Sequence, residues 1–426
     1  MRAKRRATTK IVALLAALAL LAAGCAPDDD DVDPDDPDAI ATDFGVDADE
    51  QVLRIGALND ESGPSGDIGV PFAVGKRILV EQINAGEIDI LPEGWTVELV
   101  ERDHSYDPAN AQQAYTEIAD DVLFIATSFG TPPTLPLIED AQMDQMVLYP
   151  ASLSSELAVN EVTPPVGAPY RVEAHQAVEY ILDEHGEDAQ IGVVWAADDY
   201  GQDGIEGAQE AAEHYGIELA ADIEVPTGDT EMGGTVSELQ GAGVEHVITP
   251  LLPPQQASLI GTAAAAGYDV EGFYGLTASW VDLFFGEEDL MTVAELDFHW
   301  VTGLYSWGEA EEPGQSLFFD GYEQYAADDH DPDFYIQTSY AQGVVALEVF
   351  ARALENGDVT REGYLETLQA TDDVDAFGLL PEPADFTTFP YEVTTDTRVL
   401  RPGSTNEDWW VLRDWSVPES YEGVGL

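Results

Sequence analysis

The 426 residues hold 84 Asp and Glu against 15 Lys and Arg, with seven His and a single Cys, for a formal net charge of −69. So acidic a chain cannot offer nucleic acid or an anionic membrane surface the positive face that either requires, and one cysteine cannot form an intramolecular disulfide. Apolar residues still make up 45% of the sequence, enough for a large core, and the length argues for two lobes rather than one.

The chain begins with "MRAKRRATTK", five basic residues and no acid, followed by the apolar run "IVALLAALALLAA". That is the n-region and h-region of a secretory signal, too short for a comfortable permanent span. "LAAGC" closely resembles the bacterial lipobox, with Leu21 one position further from the cysteine than in the commonest version. The resemblance implies cleavage after residue 24 and lipidation of Cys25, so that the acyl chains anchor the protein. The mature chain would keep ten basic residues against 84 acidic, a net charge of −74, with Lys76 its only lysine. A solvated acidic surface of this kind suits a high-salt medium, where screening weakens self-repulsion. Residues 25–50 are mostly Asp, Pro and Ala and read as a disordered tether. At ~5–6 Å × √n they reach roughly 25–30 Å.

From Val52 the pattern alternates between strand and helix periods. "VLRIGAL" reads as a strand and "NDESGPSGDIG" as a loop. A helix over residues 71–84 follows, with Val74/Ile78 and Leu79/Ile83 paired at i,i+4 and Gly86 as its stop. "TVELVER", "VLFIAT" and "MVLYP" are the next strands, separated by the helices "ANAQQAYTEIADD" and "TLPLIEDAQ". After residue 170 the alternation repeats, with "QIGVVWA", "IELAADIEV", "HVITPLL" and "VEGFYGL" as strands and "HWVTGLY" after them. Helices "QSLFFDGYEQYAADD", "QTSYAQGVVALEVFARALENG" and "TREGYLETLQAT" come next, then a strand pair, "FPYEVTTDTRVL" and "DWWVLRDW". Two such series predict an α/β fold of two doubly wound, parallel-sheet lobes, the late helices returning to the first lobe and the late strands to the second.

Catalytic signatures are missing. "GVPFAVGKR" departs from a P-loop in its glycine spacing and in Arg77, and there is no G-x-S-x-G, H-E-x-x-H or cysteine pair. The seven histidines have no ligand-like spacing, and "DDHDPD" reads as a solvated loop before a helix. Neither a metal nor a cofactor is expected. Trp409 and Trp410 lie in a candidate strand where one should face the core and the other solvent, with core packing the default reading. Ligands of doubly wound sheets sit beyond the carboxyl ends of strands. In the first lobe that selects Ser62-Gly63, "FGTPPT" with Gly130 and Thr131, and "YPASLSSE" with Ala151, Ser152 and Leu153. In the second it selects Tyr200, residues 249–253, and "GLTASW" with Thr277 and Trp280.

Four stretches carry a family resemblance: "IGALNDESGPSGDIGVPFAVGKRILVEQINAG", "VELVERDHSYDPANAQQAYTEIADD", "ADDYGQDG" and "SYAQGVVALEVFARALENGD". In order and spacing, over residues 52–415, they are similar to the ABC transporter solute-binding proteins of the branched-chain amino acid and amide type. That is the type I periplasmic binding protein family, here in lipoprotein form. The resemblance implies a clamshell with three hinge crossings, near residues 170, 285–300 and 380. Lobe 1 would then comprise 51–170 plus 300–382, and lobe 2 would comprise 171–299 plus 383–426. It also implies that a ligand carboxylate meets Gly130-Thr131 and Ala151-Ser152-Leu153, and that Tyr200 closes over it. Where family amino acid binders place threonine this chain has Leu153, and where they place the acid that pairs with the ligand ammonium it has Thr277. Asp198, Asp199 or Asp282 could supply that acid instead, or the ligand lacks an ammonium. With Leu153 and Ile68 on one wall, a carboxylate or amide head on an apolar or aromatic body fits best.

The function expected is that of an extracytoplasmic, lipid-anchored solute-binding subunit of an ABC importer. Its solute would be a branched-chain amino acid, amide, urea or carboxylate. Its partners would be the permease and ATPase subunits, and it would meet the membrane only through its lipid. A ligand-sensing receptor domain that reports to a membrane signalling partner is the alternative. An enzyme is not expected, because no nucleophile and base are set together.

Overall fold

The computed structural model describes residues 40–285 and 297–421; the signal sequence, Cys25 and the tether as far as residue 39 lie outside the described residues. The first sheet is built on β1 (Val52–Asn59), with β2 (Thr96–Asp103) on one side and β3 (Ile125–Phe129) then β4 (Leu148–Ala151) on the other, all parallel. Leu53, Ile55, Ala57 and Leu58 of β1 are all buried, the near-continuous apolar run expected of a strand covered on both faces. α1 (Gly66–Ala85) follows β1, and α2 (Pro108–Ile118) follows β2. Asp107 caps α2 by accepting the Ala109 and Asn110 N–H groups, and Tyr115 and Ile118 pack with Leu58, Ile125 and Leu148.

The second sheet has seven strands. β5 (Ile191–Ala196), β6 (Ala221–Val225), β7 (His246–Thr249), β8 (Gly272–Gly275) and β9 (Phe298–Thr302) run parallel in the order β6-β5-β7-β8-β9. β10 (Thr397–Pro402) and β11 (Trp409–Ser416) extend it antiparallel beyond β9. Its helices are α3 (Tyr170–His185), α4 (Asp199–Tyr215), α5 (Gly233–Ala242) and α6 (Pro253–Ala266). Between β9 and β10 the chain forms α7 (Gly314–Tyr325), α8 (Phe334–Asn356) and α9 (Arg361–Gln369). α8 lies along α1 so closely that a Cβ on Gly75 would stand 2.1 Å from the Ile336 carbonyl oxygen. The Tyr364 hydroxyl of α9 meets Tyr149 of β4 at 2.7 Å. The chain therefore passes between the two sheets three times: after β4, after β9 and before β10. Among the described residues no helix is long and apolar enough to cross a membrane.

Several expectations are corrected. α1 starts at Gly66 rather than 71, with Pro71 inside it, because the Ser65 carbonyl already accepts the Ile68 and Gly69 N–H groups and so opens the helix before the proline. The tether expected to run to residue 50 ends sooner: Val46–Asp47 pairs antiparallel with Val52 and Leu53, and the Arg54 N–H donates to the Gly45 carbonyl. A boundary at 299/300 would cut β9, which stays whole in the second sheet through Thr302. "FPYEVTTDTRVL" is a strand only from Thr397. Before that the chain is irregular, with buried Tyr391 donating its N–H to the Ala158 carbonyl and its hydroxyl to that of Glu161.

Candidate functional site

The carboxyl ends of the two sheets face a common cavity, whose volume open to the centre of a water-sized sphere is ≈ 60 Å³. Its first wall comes from α1 (Ile68, Phe72), from the last residue of β3 and the two that follow it (Phe129, Gly130, Thr131), and from the end of β4 and the two residues beyond it (Pro150 to Leu153). Gly130 adopts φ 83°, and a Cβ there would stand 2.5 Å from the Tyr106 ring, so only glycine fits. The Thr131 and Ser152 hydroxyls lie 2.7 Å apart, and Ser152 Oγ also accepts the Ser154 N–H at 3.3 Å. The small polar residues of this wall thus partially satisfy each other.

The second wall comes from Tyr170, Tyr200, Leu252, Thr277, Ala278 and Leu304. The Tyr200 hydroxyl reaches Ser279 Oγ at 2.9 Å, and its ring meets Tyr170 edge-on at 4.6 Å. Tyr335, Thr338 and Gln342 of α8 close the remaining side. No charged side chain lines the cavity among the described residues. Apolar and aromatic groups dominate it.

Two ionisable groups stand one layer behind the walls. Lys76 of α1 is buried; its Nζ donates to the Ser339 carbonyl at 2.9 Å and to Gln342 Oε1 at 3.4 Å. The same Gln342 donates its Nε2 to the Pro150 carbonyl at 2.8 Å, so one amide links the amine to the first wall. With no carboxylate in contact among the described residues, burial pulls the Lys76 amine down to about 7. Glu173 of α3 is equally buried and accepts three hydrogen bonds: from Thr277 Oγ1 at 2.5 Å, the Thr277 N–H at 2.8 Å and the Gly303 N–H at 3.3 Å. Burial still pushes its carboxyl up to about 8, against the pull of those donors. Thr277 Oγ1 also meets Thr302 Oγ1 at 2.7 Å, and the Thr277 carbonyl accepts the Tyr335 hydroxyl at 2.9 Å. Thr277 is thereby tied to α3, β9 and α8 at once.

Of the residues singled out in the sequence, the structure brings Gly130, Thr131, Ala151, Ser152, Leu153, Tyr200 and Thr277 together around this cavity, with Ile68. Ser62 and Trp280 do not join them. Asp60 folds the Ser62-Gly63-Pro64 turn by accepting the Gly63 and Ser65 N–H groups, which leaves the Ser62 hydroxyl on the outer side, donating to Asp103. Trp280 points into the second lobe, stacked on Phe298 and edge-on to Trp409, with its indole N–H on Asp282. Nor does any of the three candidate acids line the cavity. Asp198 caps α4 and holds Thr227, while Asp282 accepts the Phe334 N–H at the start of α8. Glu173 escaped the sequence reading. Its signal is its place in α3, three residues after Tyr170 and four before Ala177 on the apolar stripe, where an acid is out of character.

The periplasmic binding protein family profile matches residues 52–398. No curated protein matches the chain by sequence. Among solved structures, a fatty acid ABC transporter substrate-binding protein from Thermomonospora curvata superposes with a TM-score of 0.80 at 23% identity, covering 91% of this chain and 97% of that one. A branched-chain amino acid ABC transporter protein from Thermus thermophilus with bound valine gives 0.76 at 22%, covering 88% and 99%. A solute-binding protein from R. palustris in complex with 4-hydroxybenzoate gives 0.73 at 14%, covering 88% and 99%. At these identities the likeness is one of fold.

Proposed function

The chain belongs to the periplasmic binding protein family, and from that premise we propose that it is the extracytoplasmic solute-binding subunit of an ABC importer. It is anchored through lipid on Cys25 and delivers its solute to permease and ATPase subunits. Its solute has a carboxylate or amide head on an apolar or aromatic body. One observation carries this reading: a cavity between the two lobes with no charged side chain on its walls among the described residues. A zwitterionic amino acid needs a carboxylate against its ammonium, since leaving such a charge buried and unpaired costs ~3–5 kcal/mol. Glu173, the buried acid behind the second wall, already accepts three protein hydrogen bonds. Lys76, without an ionic partner among the described residues and joined to the wall through Gln342, favours a negative head in its protonated form, which such a head would itself stabilise. The head meets N–H groups and hydroxyls around Gly130, Thr131, Ala151 and Ser152, and Tyr200 and Thr277 approach from the other lobe.

Calorimetry and melting curves with short fatty acids, hydroxybenzoates, phenylacetate and the branched-chain amino acids test the proposal. A ligand at 100 times its dissociation constant adds ~2.7 kcal/mol to stability. Binding of the carboxylates without the amino acids is expected; micromolar binding of leucine, isoleucine or valine would overturn the ligand assignment. Cys25→Ser is expected to release the folded protein from the membrane fraction, and a variant that stays firmly bound refutes the anchor.

A further inference from the structure

At the other edge of the second sheet, where the parallel strands begin rather than end, three side chains converge on one point. His185 is the last residue of α3, His246 the first of β7, and Glu271 directly precedes β8. One donor atom from each lies within 4.8 Å of the other two. His185 Nδ1 is 3.6 Å and His246 Nε2 3.8 Å from the same carboxylate oxygen, Glu271 Oε2. Both separations exceed a hydrogen bond. The imidazole rings face each other with centroids 4.2 Å apart, and His246 is 1% exposed. Its Nε2 has no hydrogen-bond partner among the described residues, whereas its Nδ1 meets the Tyr274 hydroxyl at 3.4 Å. The carboxylate and two imidazoles are aimed at one another and stop short of touching.

We propose that His185, His246 and Glu271 form a binding site for a zinc-type divalent transition ion, with a water completing its coordination. Nitrogen and oxygen bonds to zinc of about 2.0–2.1 Å put neighbouring donors of a tetrahedron ~3.3–3.4 Å apart. The two donor-to-carboxylate separations, 3.6 and 3.8 Å, are within about half an ångström of that edge, and the two imidazole donors lie within 4.8 Å of each other, so side-chain rotations that draw the imidazoles together would complete the site. Two imidazoles select zinc, nickel, cobalt or copper over magnesium and calcium, which require oxygen ligands. The Tyr274 hydroxyl supplies the outer partner that keeps the His246 Nδ1 proton away from the metal side. A bound ion would tie the end of α3 to the starts of two core strands. Nothing in this arrangement depends on the cavity or on its solute. The histidines are far apart in the sequence, so their spacing could not announce the site.

The test uses the full mature chain, stripped with a chelator and kept in excess magnesium to occupy surface carboxylates. Titration with zinc by calorimetry is expected to give one equivalent, and cobalt to give the visible absorption of a low-coordinate nitrogen and oxygen set. His185→Gln and Glu271→Gln, both at partly exposed positions, are expected to lose at least about 10–100-fold in affinity, the loss that follows removal of even an outer partner. Zinc should raise the melting temperature of the parent but not of these variants. His246→Gln provides a third variant if it folds. Absence of a one-equivalent event, or zinc binding unchanged in both His185→Gln and Glu271→Gln, overturns the proposal and assigns any uptake to surface carboxylates.

Discussion

Behind the first wall of the cavity lies a buried amine, behind the second a buried carboxyl, and they are satisfied to different degrees. Lys76 has two neutral acceptors, Glu173 three donors. In both, desolvation outweighs the bonds made and moves the group toward its neutral form. The difference lies in what each supports. Glu173 gathers the Thr277 loop and the Gly303 crossing into one network, so it is part of the frame. Lys76 stands against two side chains of the wall, Gln342 by a hydrogen bond and Phe72 with its amine 5.9 Å from the ring centre, so it bears on the solute more than on the fold. Charge is kept one layer away from a cavity whose own surface is neutral.

The largest expected effect belongs to the frame. Glu173→Ala leaves two buried N–H donors without a partner, a loss of roughly 2–6 kcal/mol at ~1–3 kcal/mol each, read from urea unfolding. Glu173→Gln keeps the shape and most of the bonding. Because the folded carboxyl titrates near 8 against an ordinary 4.5, its contribution is complete below the lower value and drains away as pH rises through the higher. The stability of Glu173→Gln relative to the parent should therefore increase from pH 5 to beyond 8. A pH-independent difference would show that the three donors keep the carboxyl ionised.

Lys76→Met should show the reverse trend and a smaller structural effect. The folded amine titrates near 7 against 10.5, so its contribution is full above the upper value and lost as pH falls through the lower. The variant should then gain on the parent as pH drops toward 7 and below. Its affinity for a carboxylate solute should fall about tenfold, ~1.4 kcal/mol, with amide analogues little changed. Equal losses for both would make Lys76 a packing residue and erase the contrast between the walls. Smallest is Tyr200→Phe, which removes one hydrogen bond to Ser279 and should weaken every solute by ~0.5–1.5 kcal/mol in calorimetry. A solute-dependent change would show that the hydroxyl contacts the ligand head directly.

The architecture was legible because the central strands of both sheets are buried on both faces. Runs such as "VLRIGAL" and "IGVVWA" cannot be mistaken for solvated loops, and "QTSYAQGVVALEVFARALENG" carries its stop in Gly357, which adopts φ 79°. The loops after β3, β4 and β8 were legible from their position beyond strand ends. Side-chain direction was not. Ser62 and Trp280 sit in suitable loops but turn outward and coreward, decided by Asp103 and by the packing of Phe298 and Trp409. Glu173 was hidden for the opposite reason: it lies in a helix whose periodicity reads as ordinary, and its partners are far away in sequence.

The closed cavity also sets a kinetic rule. Thr131, Tyr200 and Thr277, from opposite lobes, are 1%, 2% and 3% exposed, so a solute held against all three is expected to enter and leave as the lobes part. Capture is then gated: the observed association rate should level off with solute concentration at the opening frequency rather than climb to the diffusion limit. Residence time is likewise a property of the three chain crossings, so a substitution there can change how long a solute is held without altering any atom that touches it.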